Sequence, residues 1–223
     1  MKIMIINPNS DLEMTDIIQK NAEKYANGEF EVICKATPGA RKYIEGYEDV
    51  SESAMGMIKL VRENEKDFDG FLIACGCDPN LDLIREITSK PVVGIAEAAM
   101  KIATILGHRF AILSSRKSSV PSVEDLIHKY HLSSLGFAQV SKKGISHYRN
   151  EEELFETAKL AIEEGGAEVI ILCCAGSTGI DRNLEKRLGI PVLDENICGL
   201  IILTGLIKYG ISISKIGKYK SKS

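Results

Sequence analysis

Short runs of Val, Ile and Leu recur along the chain, each followed by a longer stretch in which apolar positions return every third or fourth residue. The short runs, bounded by Gly, Pro or Asp, predict strands at Lys2–Asn7, Phe30–Lys35, Gly70–Cys75, Pro91–Gly94, Arg109–Ser114, Gly136–Ser141, Glu168–Cys173 and Ile190–Leu193. The periodic stretches predict helices at Leu12–Ala26, Glu52–Glu65, Asn80–Ser89, Ala96–Leu106, Val120–His131, Glu151–Glu164, Thr178–Arg187 and Asn196–Tyr209. Strand–helix alternation of this kind gives mainly parallel sheets covered by helices on both faces. The expected class is α/β.

The pattern also repeats. Ile5-Ile6-Asn7-Pro8-Asn9-Ser10 and Ala111-Ile112-Leu113-Ser114-Ser115 each open a half with an apolar strand ending in small polar residues. Phe71-Leu72-Ile73-Ala74-Cys75-Gly76 matches Ile170-Ile171-Leu172-Cys173-Cys174-Ala175-Gly176, and Lys90-Pro91-Val92-Val93-Gly94 matches Ile190-Pro191-Val192-Leu193-Asp194. A diverged duplication gives two similar lobes with the site in the cleft between them. The first would span 1–95, completed by the C-terminal helix 196–223, and the second 96–195.

Composition narrows the function classes. The 223 residues carry a net charge of -3, which leaves no basic footprint for nucleic acid. The basic stretch Lys215 to Lys222 reads as a solvated end. Neither Ile3–Ile6 nor Leu200–Ile207 is long enough for a signal or a membrane span, so a cytoplasmic location is expected, with no membrane partner. Six cysteines in that compartment should be reduced thiols.

Chemistry concentrates at two strand ends. Ligands of parallel α/β sheets sit beyond the carboxyl ends of the strands, where Cys75 and Cys174 stand. Small residues follow both, Gly76 and Cys77 in one half, Ala175, Gly176, Ser177 and Thr178 in the other. Their N–H groups, placed at the start of the next helix, would hold a carboxylate or an enolate and lower the thiol pKa. Two thiols on opposite faces of a carbon form an acid and a base that invert a stereocentre. A cysteine ending an apolar strand is more commonly a small buried hydrophobe; its recurrence at matching repeat positions favours catalysis. Cys77 and Cys173 suggest a soft metal or redox pair but lack the Cys-x-x-Cys spacing. Cys34 and Cys198 read as core or interface thiols. His128 and His131 share a helical face without a third ligand, and His108 and His147 read as loop or edge residues. No metal site is expected.

These strand ends resemble the aspartate/glutamate/hydantoin racemase superfamily, closest to its hydantoin and allantoin racemase branch. The resemblance runs in order through Ile6-Asn7-Pro8-Asn9-Ser10 with Met14-Thr15, Pro38-Gly39, Ile44-Glu45-Gly46, Ala74-Cys75-Gly76-Cys77-Asp78-Pro79, Pro91-Val92-Val93-Gly94-Ile95-Ala96-Glu97-Ala98-Ala99, Cys174-Ala175-Gly176 and Gly189-Ile190-Pro191-Val192. It implies Cys75 and Cys174 as the acid/base pair. It also implies substrate contacts from Asn7, Asn9, Ile44, Gly76, Cys77, Ser114, Ser115, Ala175 and Gly176. Departures flank both cysteines: Gly76 replaces a larger aromatic residue, Cys77 a glycine, Asn80 the customary glycine after Asp78-Pro79, and Cys173 a glycine.

The expected function is cofactor-independent racemisation of a hydantoin or related amino-acid derivative, with a small-molecule substrate, a homo-oligomer, and no metal, pyridoxal phosphate or nicotinamide. An aspartate- or glutamate-type racemase is the alternative; it needs cations for two carboxylates, for which Arg41, Lys42, Arg116 and Lys117 are candidates. A decarboxylase of the superfamily keeps only one cysteine, whereas an isomerase that adds cysteine to a double bond keeps both. A non-catalytic binding protein of the same shape would need neither.

Overall fold

The computed structural model describes residues 1–140 and 145–220. In chain order the elements are β1 (Lys2–Asn7), α1 (Leu12–Ala26), β2 (Glu31–Ala36), α2 (Tyr47–Asn64), β3 (Gly70–Ile73), α3 (Leu81–Ile87), β4 (Val92–Gly94) and α4 (Ile95–Leu106). They continue with β5 (Phe110–Leu113), α5 (Val120–Lys129), β6 (Gly136–Gln139), α6 (Glu151–Glu163), β7 (Val169–Leu172), α7 (Asp181–Leu188), β8 (Val192–Asp194) and α8 (Glu195–Tyr209). The chain divides into two compact units. One holds Met1–Ile95 together with the segment from Gly199 onward; the other is Ala96–Cys198.

Each unit contains one four-stranded, all-parallel sheet, and the two orders are the same: β2-β1-β3-β4 and β6-β5-β7-β8. The α/β class and the doubling expected from the strand pattern are both present. In the first unit Met4, Ile6, Phe71, Ile73 and Val92 pack with Met57, Leu60 and Val61 of α2 and Leu81 and Ile84 of α3. Across β3, α8 lies so close that a Cβ on Gly199 would stand 2.5 Å from Leu72. In the second unit Ala111, Leu113, Ile170, Leu172 and Val192 pack with Leu154, Ala158 and Ala161 of α6 and Leu184 of α7. Phe71 and Ile73 are wholly buried, each worth roughly 1.5–3 kcal/mol. A one-residue slip would turn them to the wrong face, so burial fixes where Cys75 emerges.

Local chemistry sets the helix ends. The Asp11 side chain caps α1 by accepting from the N–H groups of Glu13 and Met14, and Asn27 closes it in the left-handed region at φ 45°. The structure corrects three expectations here. α2 starts at Tyr47, not Glu52, because the Asp49 carboxylate accepts from the N–H groups of Glu45 and Gly46 and holds an additional turn. That turn exposes Tyr47 and Glu48 and buries Asp49, so it shows no apolar stripe. The basic C-terminal stretch, though largely exposed, is tied down rather than free: Lys215 Nζ donates to the carbonyls of Arg85 and Glu86, and Lys218 and Tyr219 both reach Asp82. Ser221 and Lys222, within that expectation, lie outside the described residues, as does Ser141 at the end of the expected sixth strand. β6 ends at Gln139. Among the described residues no helix is long and apolar enough to cross a membrane.

Candidate active site

In a sheet ordered 2-1-3-4 the chain turns to opposite sides of its first strand, and the crevice at the carboxyl ends of the first and third strands is the topological switch point. In the first unit that point is flanked by Asn7, the last residue of β1, and Cys75, two residues beyond β3. In the second it is flanked by Ser114, just beyond β5, and Cys174, two residues beyond β7. Each sheet therefore brings together one expected thiol and one expected polar residue.

The first half-site is built by a turn rather than a helix start. Asp78 N–H donates to the Cys75 carbonyl at 2.9 Å, and α3 begins only at Leu81. The N–H groups of Gly76 and Cys77 accordingly lie ahead of the helix instead of at its start. Asp78 and Asn80 both take left-handed backbone, φ 45° and 56°, where Asn and Asp are the non-glycine residues best tolerated. That accounts for Asn80 at a customary glycine: it adopts the needed φ, and its amide donates to the Val50 carbonyl and Ser53 Oγ on α2. The buried Asp78 carboxyl lies over the end of β4, where a Cβ on Gly94 would stand 2.4 Å from it.

Cys75 is half-buried and its Sγ lies 3.5 Å from that of exposed Cys77. This hydrogen bond, followed by burial, holds the Cys75 thiol well above its ordinary pKa, opposite to the lowering expected from a helix start. Cys34 and Cys198 are pushed up to about 12, chiefly by burial, and are inert thiols. Removing the sulfur of Cys77 removes the largest raising influence on Cys75. Cys77→Ala is therefore expected to move the alkaline rise of Cys75 alkylation to lower pH, measured by peptide-resolved mass spectrometry with iodoacetamide. A profile unchanged or shifted upward would contradict this.

Asn7 is fully buried. Its Nδ2 donates to Thr15 Oγ1 at 2.9 Å and to the Asp11 carbonyl at 3.4 Å. Thr15 already spends its hydroxyl proton on that same carbonyl, which fixes the orientation of the Asn7 amide. Its Oδ1 has no hydrogen-bond partner among the described residues, an uncommon state for a buried acceptor. Asn9 is used locally, accepting from Asp11 N–H and contacting Met14 Sδ. Ile44 is half-buried in the loop before α2.

The second half-site is held from several sides. Cys174 is extended and half-buried, and a 3₁₀ turn, Ala175–Ser177, follows it. Ser177 N–H returns to the Cys174 carbonyl at 2.9 Å. Asp194, ending β8, accepts from Thr178 Oγ1 and from Gly179 N–H through one oxygen, and from the N–H groups of Asn196 and Ile197 through the other. Asn196 Nδ2 donates to the Ala175 carbonyl at 2.8 Å. Because Asp194 draws in Thr178 and Gly179, α7 starts at Asp181 rather than at Thr178. The loop before α6 closes the other side. Arg149 Nη1 donates to the carbonyls of Gly176 and Thr178, Ser177 Oγ donates to the Tyr148 carbonyl, and the Tyr148 ring lies against Gly176.

Ser114 Oγ lies 2.7 Å from Ser119 Oγ and 3.2 Å from the Arg116 carbonyl, so its hydroxyl is engaged at the start of α5. Half-buried Ser115 lends its carbonyl to Ile145 N–H. His108, His128, His131 and His147 are exposed, and His131 lies beyond the end of α5 with φ 60°. The Arg41 guanidinium is already paired with Glu48, Asp49 and Glu52, which removes it as a free cation for a substrate carboxylate. Among the described residues no three His, Cys, Asp or Glu side chains gather as a metal site.

Sequence reasoning did not single out Asp78, Arg149, Asp194 and Asn196, which pack on or hold the two cysteine turns. One signal was available for the aspartates. Where the first half has Asp78 and Gly94, the second has Ser177 and Asp194, so each half keeps one carboxylate but draws it from the opposite side of the same junction.

Residues 3–200 match the family model described as Asp/Glu/Hydantoin racemase. A hydantoin racemase of Pseudomonas sp. (strain NS671) is 34% identical over 99% of this chain and 91% of its own length. One from Rhizobium meliloti is 31% identical over 98% and 94%. The solved allantoin racemase from Klebsiella pneumoniae superposes with a TM-score of 0.92 at 29% identity, covering 100% of this chain and 94% of its own. With the family model spanning both cysteine turns and full-length relatives above 30% identity, this chain belongs to the Asp/Glu/hydantoin racemase family and is an isomerase of the racemase type.

Proposed function

We propose that this protein racemises a 5-substituted hydantoin or a closely related cyclic or open-chain amino-acid derivative, passing the proton of the stereogenic carbon between Cys75 and Cys174 without metal or organic cofactor. One observation carries the reading: the two thiols stand at equivalent switch points of two sheets with the same strand order. Relatives named hydantoin racemase and allantoin racemase support the substrate class.

The reaction asks for little beyond this. A C–H beside a carbonyl is acidic enough for one thiolate to remove its proton, leaving the electron pair as an enolate. The second thiol delivers its own proton to the opposite face. The protein ends with the two cysteines in exchanged protonation states, ready for the reverse substrate. Backbone N–H groups after the cysteines, Gly176 among them, stabilise the enolate oxygen. A cyclic or open-chain ureide also carries N–H donors, and the buried Asn7 Oδ1 is an acceptor with no donor among the described residues.

The test is solvent-deuterium incorporation, followed by NMR, over a panel of hydantoins, allantoin, aspartate and glutamate. Exchange with inversion in the hydantoin or ureide arm is the expected result. Exchange confined to aspartate or glutamate would move the reading to free amino acids. No exchange anywhere, with both thiols inert to alkylation, would leave a binding protein. Within the same assay Asn7→Ala should raise KM about tenfold, the equivalent of one hydrogen bond of about 1.4 kcal/mol, and leave kcat within about threefold. Unchanged KM for every active substrate would remove Asn7 from the site.

A further inference from the structure

The second cysteine turn is restrained by side chains in a way that bears on its chemistry. In a trans peptide the C=O and the following N–H point in opposite directions. A donor that captures a carbonyl therefore also sets the direction of the next N–H. Asn196 Nδ2 takes the Ala175 carbonyl at 2.8 Å, and this turns the Gly176 N–H away from α8. Arg149 Nη1 takes the Gly176 carbonyl at 3.0 Å; the next N–H, that of Ser177, is the one bonded to the Cys174 carbonyl. The same Nη1 takes the Thr178 carbonyl at 3.0 Å, and the next N–H, that of Gly179, goes to Asp194. Arg149 comes from the loop between β6 and α6, which is anchored by Ser177 Oγ on the Tyr148 carbonyl at 2.6 Å. The first half-site is set differently, by Asp78 over Gly94 and by Asn80 on α2.

We propose that Arg149 is a positioning residue for the Cys174 turn: by holding the Gly176 and Thr178 carbonyls in one guanidinium, it fixes the peptide planes whose N–H groups, those of Ser177 and Gly179, tie the turn to the Cys174 carbonyl and to Asp194, and it supplies a positive charge beside that turn. This rests on the racemase reading for its catalytic consequence, though not for its effect on the thiol. A guanidinium suits the task because its planar, permanently charged head offers several N–H donors in fixed directions. Misaligned N–H groups stabilise developing oxyanion charge poorly, and loss of one such donor costs about 10²–10³-fold in kcat. A positive charge near a thiol favours its thiolate, and this guanidinium stands on carbonyls two and four residues past Cys174.

The experiment compares Arg149→Met with wild type by two readouts. The first is the pH profile of iodoacetamide alkylation, resolved for Cys75 and Cys174 by peptide mass spectrometry, which needs no substrate. The second is kcat and KM on whichever substrate of the panel the wild type racemises. The expected result is a Cys174 profile moved to higher pH with the Cys75 profile unchanged, kcat lower by about 10²-fold and KM within about threefold. Arg149→Lys, which keeps charge and donors, should restore the Cys174 profile and recover most of kcat. A Cys174 profile identical to wild type in folded Arg149→Met, or a kcat within twofold of wild type, overturns the proposal. Should the methionine variant not fold, Arg149→Gln takes its place with the same expected and overturning results. Because the thiol profile is independent of substrate, the proposal can fail while the racemase reading stands, and the reverse.

Discussion

Cys75→Ser and Cys174→Ser are each expected to abolish racemisation, lowering kcat by about 10³-fold or more, as loss of a general acid or base does. A serine hydroxyl is too weak an acid to give or take this proton near neutral pH, whereas a thiol, with an ordinary pKa near 8.5, is a far stronger acid. The informative part is what remains. On the proposed mechanism, each variant keeps one thiol on one face of the substrate carbon. That thiol can still remove a proton from the enantiomer facing it and return a solvent proton to the same face. The signature is deuterium exchange without inversion, with opposite enantiomer preference in the two variants, read by chiral chromatography and NMR in deuterated buffer. Cys77→Ser and Cys173→Ser should retain racemisation. If Cys77→Ser is inactive while Cys75→Ser racemises normally, the acid/base role in the first half belongs to Cys77.

The second large effect is expected at Asp194. Its two oxygens accept from four donors, those of Thr178, Gly179, Asn196 and Ile197, and the residue is only 4% exposed. Asp194→Asn puts an NH₂ group against N–H and O–H donors on one side and leaves buried donors unpaired. That costs about 2–4 kcal/mol at 1–3 kcal/mol per unsatisfied group. For a chain of this length the loss corresponds to about 5–15 °C in Tm, measurable by thermal unfolding. The same substitution frees Thr178 and Gly179 to continue α7 backward, which pulls the Cys174 turn out of shape, so kcat should fall about tenfold in protein still folded at the assay temperature. A melting curve and kcat both indistinguishable from wild type would show that the four contacts carry little.

The periodicity of the chain was sufficient for most of the architecture, and the reason is physical. Strands such as Phe71–Ile73 and Val169–Leu172 are buried on both faces, so hydrophobicity alone marks them, and parallel pairing follows from the helices between them. The α1 boundaries, Leu12–Ala26, were legible to the residue because Asp11 and Asn27 are local signals. The first turn of α2 was not, because a side chain three residues into the helix holds it and no apolar stripe marks it.

Strand order and the switch points were not spelled out by any local pattern, yet the position of Cys75 and Cys174 at strand ends was, because a strand must stop where its apolar run stops. The half-sites around them depend on partners distant in sequence. Asp194 meets Thr178 across 16 residues, Arg149 meets Thr178 across 29, and Asn80 meets Val50 across 30. A propensity or motif read in a short window carries no information on such pairs, since it is the register of β7 beside β8 and the closure of loops on the folded sheet that bring them within hydrogen-bond distance. The thiol environment of Cys75 has a nearer cause, since its partner Cys77 is only two residues on and the geometry of the turn decides whether the two sulfurs meet. A cysteine followed by small residues read as the start of a helix that would favour the thiolate; folding places a second sulfur 3.5 Å away and covers the site, and both changes favour the thiol.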